Sequence, residues 1–494
     1  MGRKSNYENG MYQQLMEIMG RLENVEKDSA QKINTLNRQI DSLNDRIDTL
    51  EHENLELKHE NQLLKDDNAR LKSIINNDSS NSSLPPSSDL KGTKPANTYN
   101  GRKKTECKAG GQNGHKGTTL TKADIEQKIA SGKCRHEIKT IGNVSVEKFA
   151  IKYIVDLEVK PIITELRIYA DESGVLRIPA EYRSDVTYGA NVKALAAALY
   201  SVGVMANDRI ASFLNAASGG ELGLSEGSIY GFCKKLGKVS AASIMNLEAE
   251  LLNQKVVATD ATTVTVNGKQ HYIRNFSIKN SVVYHAMNSK SLDALNELDF
   301  LKRYTGTLLH DHETALYHFG TDHAECNVHI IRYLRKNTEE TGSTWSDKMI
   351  SLLCEMNRKR KELTEQGETS FPTEMITEYE EKYFSLLKKG REENKTTNHE
   401  YAKKAEKTLL NRMEKYSHNH LLFLHDFSVP FDDNISERDL RKVKNRQKMA
   451  GGFRKESGSE MYCSIMTVIE TLKKRKMGIV ENLKKLFMGT PAIF

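Results

Sequence analysis

The sequence has no run of eighteen or more apolar residues, which excludes a transmembrane helix. Its opening residues, MGRKSNYENGMYQQ, carry no apolar core, so no secretory signal is expected. Only six cysteines occur, at 107, 134, 233, 326, 354 and 463, and no two form a CxxC pair. That scatter excludes a disulfide framework and points to a reducing cytoplasm. Proline is scarce, with 8 in 494 residues, and residues 11–78 contain none and a single glycine, Gly20. The glycine-rich run at 110–117 lacks a GK[ST] ending, which excludes a P-loop.

What is present is polar but foldable. Mean hydropathy is -0.60 and hydrophobic residues make up 38%, too many for a wholly disordered chain. A length of 494 residues suggests two to four domains. Lys plus Arg number 73 against 66 Asp plus Glu, giving a net charge of +7. The excess is unevenly placed. Residues 434–494 hold 14 basic and 6 acidic side chains, or +8, and residues 91–117 hold 7 and 1, or +6. Two basic concentrations suit a polyanion such as nucleic acid, although a solvated lysine face has the same composition.

The proline-free stretch carries a heptad. Leu36, Leu43, Leu50, Leu57, Leu64 and Leu71 occupy successive d positions, and Ile33, Ile40, Ile47, Asn54, Asn61, Asn68 and Ile75 the a positions. Ile at a with Leu at d favours two parallel strands, and Asn at a fixes register at some cost in stability. Leu15, Ile18, Leu22 and Val25 fit a heptad offset by four, a stutter near Ser29. The Ser- and Pro-rich segment at 79–89 then ends the helix.

Residues 144–178 alternate apolar and polar, predicting strands in a small β-rich module. Residues 191–251 read as helices. One spans 208–214 and another 225–236 with Ser225 as N-cap, compatible with a helix-turn-helix or an ordinary hairpin. Beyond them, strands are expected at 255–259, 271–278, 282–287 and 307–310, and helices at 291–303 and 323–335, an α/β pattern. Residues 345–429 read as a helical insertion and 434–449 as a basic helix.

An acid at the end of an apolar strand lies where α/β sheets bind ligands. Asp260 follows Val256-Val257-Ala258-Thr259, and Asp311 follows Leu308-Leu309-His310. On neighbouring strands the two carboxylates would meet and repel, so the site would need a cation, and all-oxygen ligands suit Mg²⁺ or Mn²⁺. Taken singly, each Asp reads better as a cap. Glu437 adds a third acid. It shares a helical face with Arg441, Lys444 and Lys448, an arrangement suited to holding a metal beside a phosphate chain. Solvated i,i+4 ion pairs would produce the same charge pattern. Cys326 and His329, at i and i+3, are read as packing or phosphate-positioning residues. His310 and His312 are left outside the site, both expected to point away from the Asp311 side.

These residues resemble bacterial insertion-sequence transposases of the IS-sixty-six family. The likeness runs in order through the zipper, Asn81-Ser82-Ser83-Leu84-Pro85-Pro86-Ser87-Ser88-Asp89, the segment at 110–117 and Tyr188-Gly189-Ala190-Asn191. It continues through Asp260-Ala261-Thr262, His310-Asp311-His312, Cys326-Asn327-Val328-His329 with Arg332, and Ser436-Glu437-Arg438 onward to Arg454. The resemblance implies a DDE enzyme with an RNase H-like core. Asp260, Asp311 and Glu437 would be its catalytic, metal-binding triad, and Arg438, Arg441, Lys444, Lys448 and Arg454 its DNA-binding residues. The family's usual Asp-Glu-Thr is Asp260-Ala261-Thr262 here, so a neighbouring acid is missing. The family's zinc module has paired CxxC knuckles. Here Cys107, His115, Cys134 and His136 remain, and Cys134 and His136 are too close for the usual spacing. A metal-free remnant is therefore expected, with zinc at Cys107, Cys134 and His136 as the alternative.

The expected fold is multidomain α+β. It comprises a parallel coiled coil (11–78), a basic linker (79–106), a zinc-finger-like β-rich module (107–185) and a helical DNA-binding region (186–250). An RNase H-like α/β core (251–340 and 429–456) follows, interrupted by a helical insertion (341–428), with a basic tail at 457–494. The expected activity is Mg²⁺-dependent cutting of element ends and joining of the 3′-hydroxyl to target double-stranded DNA. The expected assembly is a zipper homodimer, in higher assemblies on DNA, in the bacterial cytoplasm at the nucleoid. The alternatives are an inactive DNA-binding remnant and a stand-alone nuclease.

Overall fold

A computed structural model describes residues 4–77, 81, 120–132, 134–140 and 150–494. Helix α1 runs Lys4–Ile75 and α2 Lys122–Ala130; α3 (Ala190–Ser201), α4 (Asn207–Ala217), α5 (Glu226–Val239) and α6 (Ala241–Leu252) follow. Next come β1 (Val256–Val266), β2 (Lys269–Ser277), β3 (Val282–Met287), α7 (Leu292–Asn296), α8 (Asp299–Arg303), β4 (Thr307–His310) and β5 (Asp322–Glu325). Then come α9 (Asn327–Thr341), α10 (Thr344–Glu365), α11 (Thr373–Lys395), α12 (Glu400–Lys415) and α13 (Ser417–His425). The series closes with α14 (Asn434–Ala450), α15 (Glu456–Lys474) and α16 (Ile479–Phe487). No helix among the described residues is long and apolar enough to cross a membrane.

The chain forms two compact units, one of residues 1–89, 333–348 and 386–412, the other of 90–332, 349–385 and 413–494. In the first, α1 is unbroken for 72 residues and passes through the heptad offset as helix. Its d-position leucines, Leu36 to Leu71, are all 48–60% exposed. Among the described residues, the helix therefore presents its apolar seam without a partner. Near its end, Asp66 Oδ1 accepts from the Glu400 amide at 3.3 Å and Ser73 Oγ lies 3.4 Å from the Tyr401 hydroxyl.

The interior of this unit is organised by one acid. Glu406 is fully buried. Its Oε1 accepts from Trp345 Nε1 (2.7 Å) and Asn337 Nδ2 (3.1 Å), and its Oε2 from Asn394 Nδ2 (2.9 Å) and Thr397 Oγ1 (2.8 Å). Burial alone would raise its pKa, but these four donors outweigh burial and hold it below the ordinary value of 4.5. A depressed folded pKa means that this contribution to stability is complete above pH 4.5 and is lost as pH falls through the folded value. Glu406→Leu strands four buried donors. It is expected to destabilise the protein by about 3 kcal/mol or more, measured by urea unfolding at neutral pH, and to flatten the acid dependence. An unchanged midpoint would show the donors finding other partners.

The second unit is built on a five-stranded sheet of order β3-β2-β1-β4-β5. β1 to β3 are antiparallel neighbours, whereas β4 runs parallel to β1 and β5 parallel to β4. One face buries Val264, Val266, Ile273, Val282 and Tyr284 against α3, α4, α5, α14, α15 and α16. The other buries Val257, Phe276, Val283 and Leu308 against α6, α7 and α8. The alternation follows from the twofold period of a strand.

Several expected elements differ. β1 extends past Asp260 to Val266 because Asn267 and Gly268, with φ of 48° and 75°, turn it onto β2. This is the left-handed two-residue turn that suits a hairpin. The helix expected at 291–303 is two short helices, and the one expected at 323–335 begins later, after β5. Residues 150–178 form no strand, and Ile154, Leu157, Ile162 and Ile163 are each more than 80% exposed. Their alternation is real, but no described segment supplies the ladder partner that a strand needs. The described part of 107–185 holds helix α2 and a 3₁₀ turn at Ala180–Tyr182 in place of the expected strands, and residues 107–119, 133 and 141–149 lie outside the described residues. The basic tail expected at 457–494 is also corrected. It is mostly α15 and α16, with Ile465, Val468, Ile469, Leu472, Leu483 and Leu486 in the core. α15 also covers the sheet edge. Thr467 Oγ1 accepts from the Tyr284 amide (3.0 Å), while Thr471 Oγ1 donates to Val282 O (3.2 Å). Side-chain hydroxyls thereby occupy backbone groups that an open edge would leave unpaired.

Candidate active site

The register aligns the two strand acids. Val256, Val257 and Ala258 of β1 pair with Thr307, Leu308 and Leu309 of β4, an offset of 51. Asp260 and Asp311 are also 51 apart, so both stand two residues beyond the last paired position. Pairing with β4 stops there while β1 continues beside β2, so the acids open onto the end of β4. Val257 faces α6 to α8, so strand parity turns residue 260 to the opposite face, where α14 packs.

α14 is tied down by buried polar groups. Asn275 of β2 is fully buried. Its Oδ1 accepts from the Asp260 amide (3.1 Å), and its Nδ2 donates to Ser436 O (3.0 Å) and Ser277 Oγ (3.1 Å). Ser277 Oγ donates in turn to Asp439 Oδ2 (2.9 Å), and Lys474 Nζ lies 2.7 Å from the same oxygen. One strand residue thus links the backbone of the first acid to the turn of helix that carries Glu437. At the far end, the Phe453 amide donates to Thr265 O (2.7 Å) and the Asn267 amide to Phe453 O (2.8 Å). Gly452 is required there, since a Cβ would lie 2.6 Å from Thr265 O.

His329, in the first turn of α9, stands between the other two acids. Its Nδ1 lies 2.8 Å from Asp311 Oδ1 and 3.9 Å from Glu437 Oε1. Arg332 Nη1 is 3.0 Å from His329 Nε2, and a guanidinium only donates, so Nε2 accepts and Nδ1 carries the proton. Glu437 Oε2 is 3.6 Å from the Arg441 guanidinium. A ligand atom from each of Asp311, Cys326 and His329 lies within 4.8 Å of the other two, a grouping able to hold a metal. However, Nδ1 can serve as a ligand only if the Arg332 contact is given up. His329 was read from sequence as packing or phosphate-positioning. The Cys-x-x-His spacing marked the pair, but only tertiary structure sets its ring against Asp311.

Burial, then the Asp311 charge, pushes the Asp260 carboxyl up to about 6, against the opposing pull of Lys290 and Arg274. Arg274 is itself fully buried, donating to Thr259 Oγ1 (3.1 Å) and paired with Glu313. His312 does not reach the acids. It sits in a turn at φ 60°, held by Glu325 Oε1 at 2.6 Å from its Nδ1, and His310 Nε2 lies 3.2 Å from His323 Nδ1. Both histidines therefore pair with β5.

Among the basic residues of this region, Arg438, Arg441, Lys448 and Arg454 are exposed. Lys444 is half-buried, and its ammonium donates to Thr263 O (3.0 Å) and Thr263 Oγ1 (2.9 Å). Of the zinc candidates, Cys134 and His136 are exposed, and Cys107 and His115 lie outside the described residues. Cys134 and His136 belong to no metal-holding group among the described residues.

Two family models match the chain. A family model described as Transposase IS66 family matches residues 186–461, more than half of the chain. A second, described as Family of unknown function (DUF6444), matches residues 13–121. No curated protein matches the chain.

Proposed function

The chain belongs to the Transposase IS66 family, and from that premise we propose that it cuts the ends of an insertion sequence and joins the freed 3′-hydroxyls to target DNA. The family carries a transposase role and implies a DNA-cutting, DNA-binding enzyme. The finer chemistry is our reading. The observation that carries it is the shared 51-residue offset that aligns Asp260 with Asp311, with His329 bridging Asp311 toward Glu437. The order β3-β2-β1-β4-β5 with helices on both faces supports an RNase H-like core.

The donors fit a hard divalent cation. They are carboxylate oxygens, and Asp311 Oδ1 is a buried oxygen without a well-aligned hydrogen bond among the described residues. Asp260, Asp311 and Glu437 would hold Mg²⁺ or Mn²⁺. Such a cation would supply polarisation of the scissile phosphate and a lowered pKa for the attacking water or hydroxyl. The chain's own groups do the positioning. Asn275 fixes α14 against β1. His329 sets its Nδ1 2.8 Å from Asp311 Oδ1, and Arg332 selects the Nδ1-protonated tautomer. Arg438, Arg441, Lys448 and Arg454 neutralise phosphates along the bound strand. Zinc at Cys107, Cys134 and His136 has no support beyond the resemblance.

The test is a cutting and joining assay with DNA bearing the element ends, with and without Mg²⁺. Nicking at the ends followed by strand joining, both lost in EDTA, is the expected result. Binding without cutting would instead favour a DNA-binding remnant, and cutting without joining a stand-alone nuclease. Arg441→Ala with Lys448→Ala is expected to make the slope of log K against log salt shallower by about 2. Lys444→Ala should change it less, because that ammonium is already engaged by Thr263. Equal slopes for all three would place these side chains away from DNA.

A further inference from the structure

Asp433 immediately precedes α14 and is 0% exposed. An Asp at this position ordinarily accepts from the first free amides of its helix. This one makes no such bond. Its Oδ2 accepts from Ser436 Oγ, and its Oδ1, also buried, has no hydrogen-bond partner among the described residues. Its amide donates to Cys326 Sγ at 3.3 Å, and Cys326 is within 4.8 Å of ligand atoms of Asp311 and His329. A buried carboxylate oxygen with neither donor nor cation is costly. Burial first, and then the like charges of Asp311, Asp260 and Glu437, push its carboxyl well above the ordinary value.

A proton or a metal ion would relieve this crowding, and only the second gives the acid a task. We propose that Asp433 is a fourth carboxylate of the cation site, meeting a divalent ion with Oδ1 beside Asp311. The assignment rests on the metal reading given above. Ser436 holds Oδ2 so that Oδ1 is the free oxygen, and the Asp433 amide, bound to Cys326, fixes the residue against the turn that leads into α9.

The experiment uses the full chain without DNA, with Mn²⁺ as probe, read by titration calorimetry and by the Mn²⁺-induced rise in unfolding temperature. Asp433→Asn keeps shape and removes charge. It is expected to weaken uptake of at least one Mn²⁺ by tenfold or more and to raise the unfolding temperature of the metal-free protein. Asp260→Asn is expected to weaken uptake as well. Wild-type affinity and stoichiometry in Asp433→Asn, with loss in Asp260→Asn, would overturn this assignment and leave the metal reading intact. No Mn²⁺ uptake by the wild type would overturn both. If Asp433→Asn does not fold, Asp433→Ser decides by the same readout. It removes the carboxylate with a smaller polar side chain, and a wild-type Mn²⁺ affinity there overturns the assignment.

Discussion

Asp311→Asn is expected to lower Mg²⁺-dependent strand cutting by about a thousandfold or more while leaving DNA affinity near that of the wild type. The magnitude follows from what is removed. A metal ion at a phosphoryl centre is worth several kcal/mol of transition-state stabilisation, and about 4 kcal/mol is a thousandfold in rate. Affinity is spared because phosphate binding depends on cations, and Asp311 neutralises none. The substitution is isosteric, and an amide at 311 still faces His329 Nδ1 across the present 2.8 Å, so the fold should tolerate it. Gel-based cutting of labelled ends, run beside a binding titration at fixed salt, measures both quantities. A fully active Asp311→Asn protein would remove Asp311 from the chemistry and the triad with it. Asp260→Asn and Glu437→Gln are expected to behave alike, since on the proposed reading all three would hold the same cation.

The second large effect concerns assembly. The wild type is expected to sediment as a dimer, and Leu50→Glu with Leu57→Glu as a monomer across the micromolar range. Each d leucine buried in a two-stranded seam contributes roughly 1.5–3 kcal/mol, and each Glu would add the cost of a desolvated charge. Two such changes on both chains amount to at least about a thousandfold in dissociation constant. Folding of the single chain should survive, because Leu50 and Leu57 are 55% and 58% exposed within it. An unchanged sedimentation coefficient would assign the seam to another partner. Loss of dimer together with loss of paired-end joining, but not of single-end nicking, would give the zipper its role in bringing two DNA ends together.

The sequence reading reached some features of this fold and site and missed others, for separable reasons. The strand at 307–310 was legible to the residue, because four apolar or half-apolar residues between turn signals leave little choice. Ser225 was legible as a cap, and its Oγ accepts from the Ser228 amide. The three acids were legible as a set only through the order of surrounding motifs, since each alone reads as a cap. The end of β1 was placed too early because Asp260 looked like a terminator. The Asn267-Gly268 turn, a strong local hairpin signal, shows the strand running on past it. β5 is short and carries both an Asp and a Glu, so hydrophobic pattern could not reveal it; its pairing with β4 makes it a strand. Residues 150–178 show the opposite error, alternation without a partner. Asn275 and Asp433 could not be read at all, and His329 only as a packing or phosphate-positioning residue. Their roles depend on what faces them across 161, 18 and 107 residues of chain.

The helix that delivers Glu437 has a consequence for synthesis. Asp260 on β1 and Asp311 just past β4 belong to strands that pair early in the chain, but Glu437 is made 126 residues after Asp311, once the whole of α10 to α13 has been translated. At roughly 5–20 residues per second, that interval is about 6 to 25 seconds on the ribosome. The sheet edge at β3 waits longer still, for Thr467 and Thr471 of α15. A nascent or prematurely terminated chain therefore holds two of the three acids with an uncovered edge. On the proposed triad, strand cutting would require nearly all of the described protein to have been made.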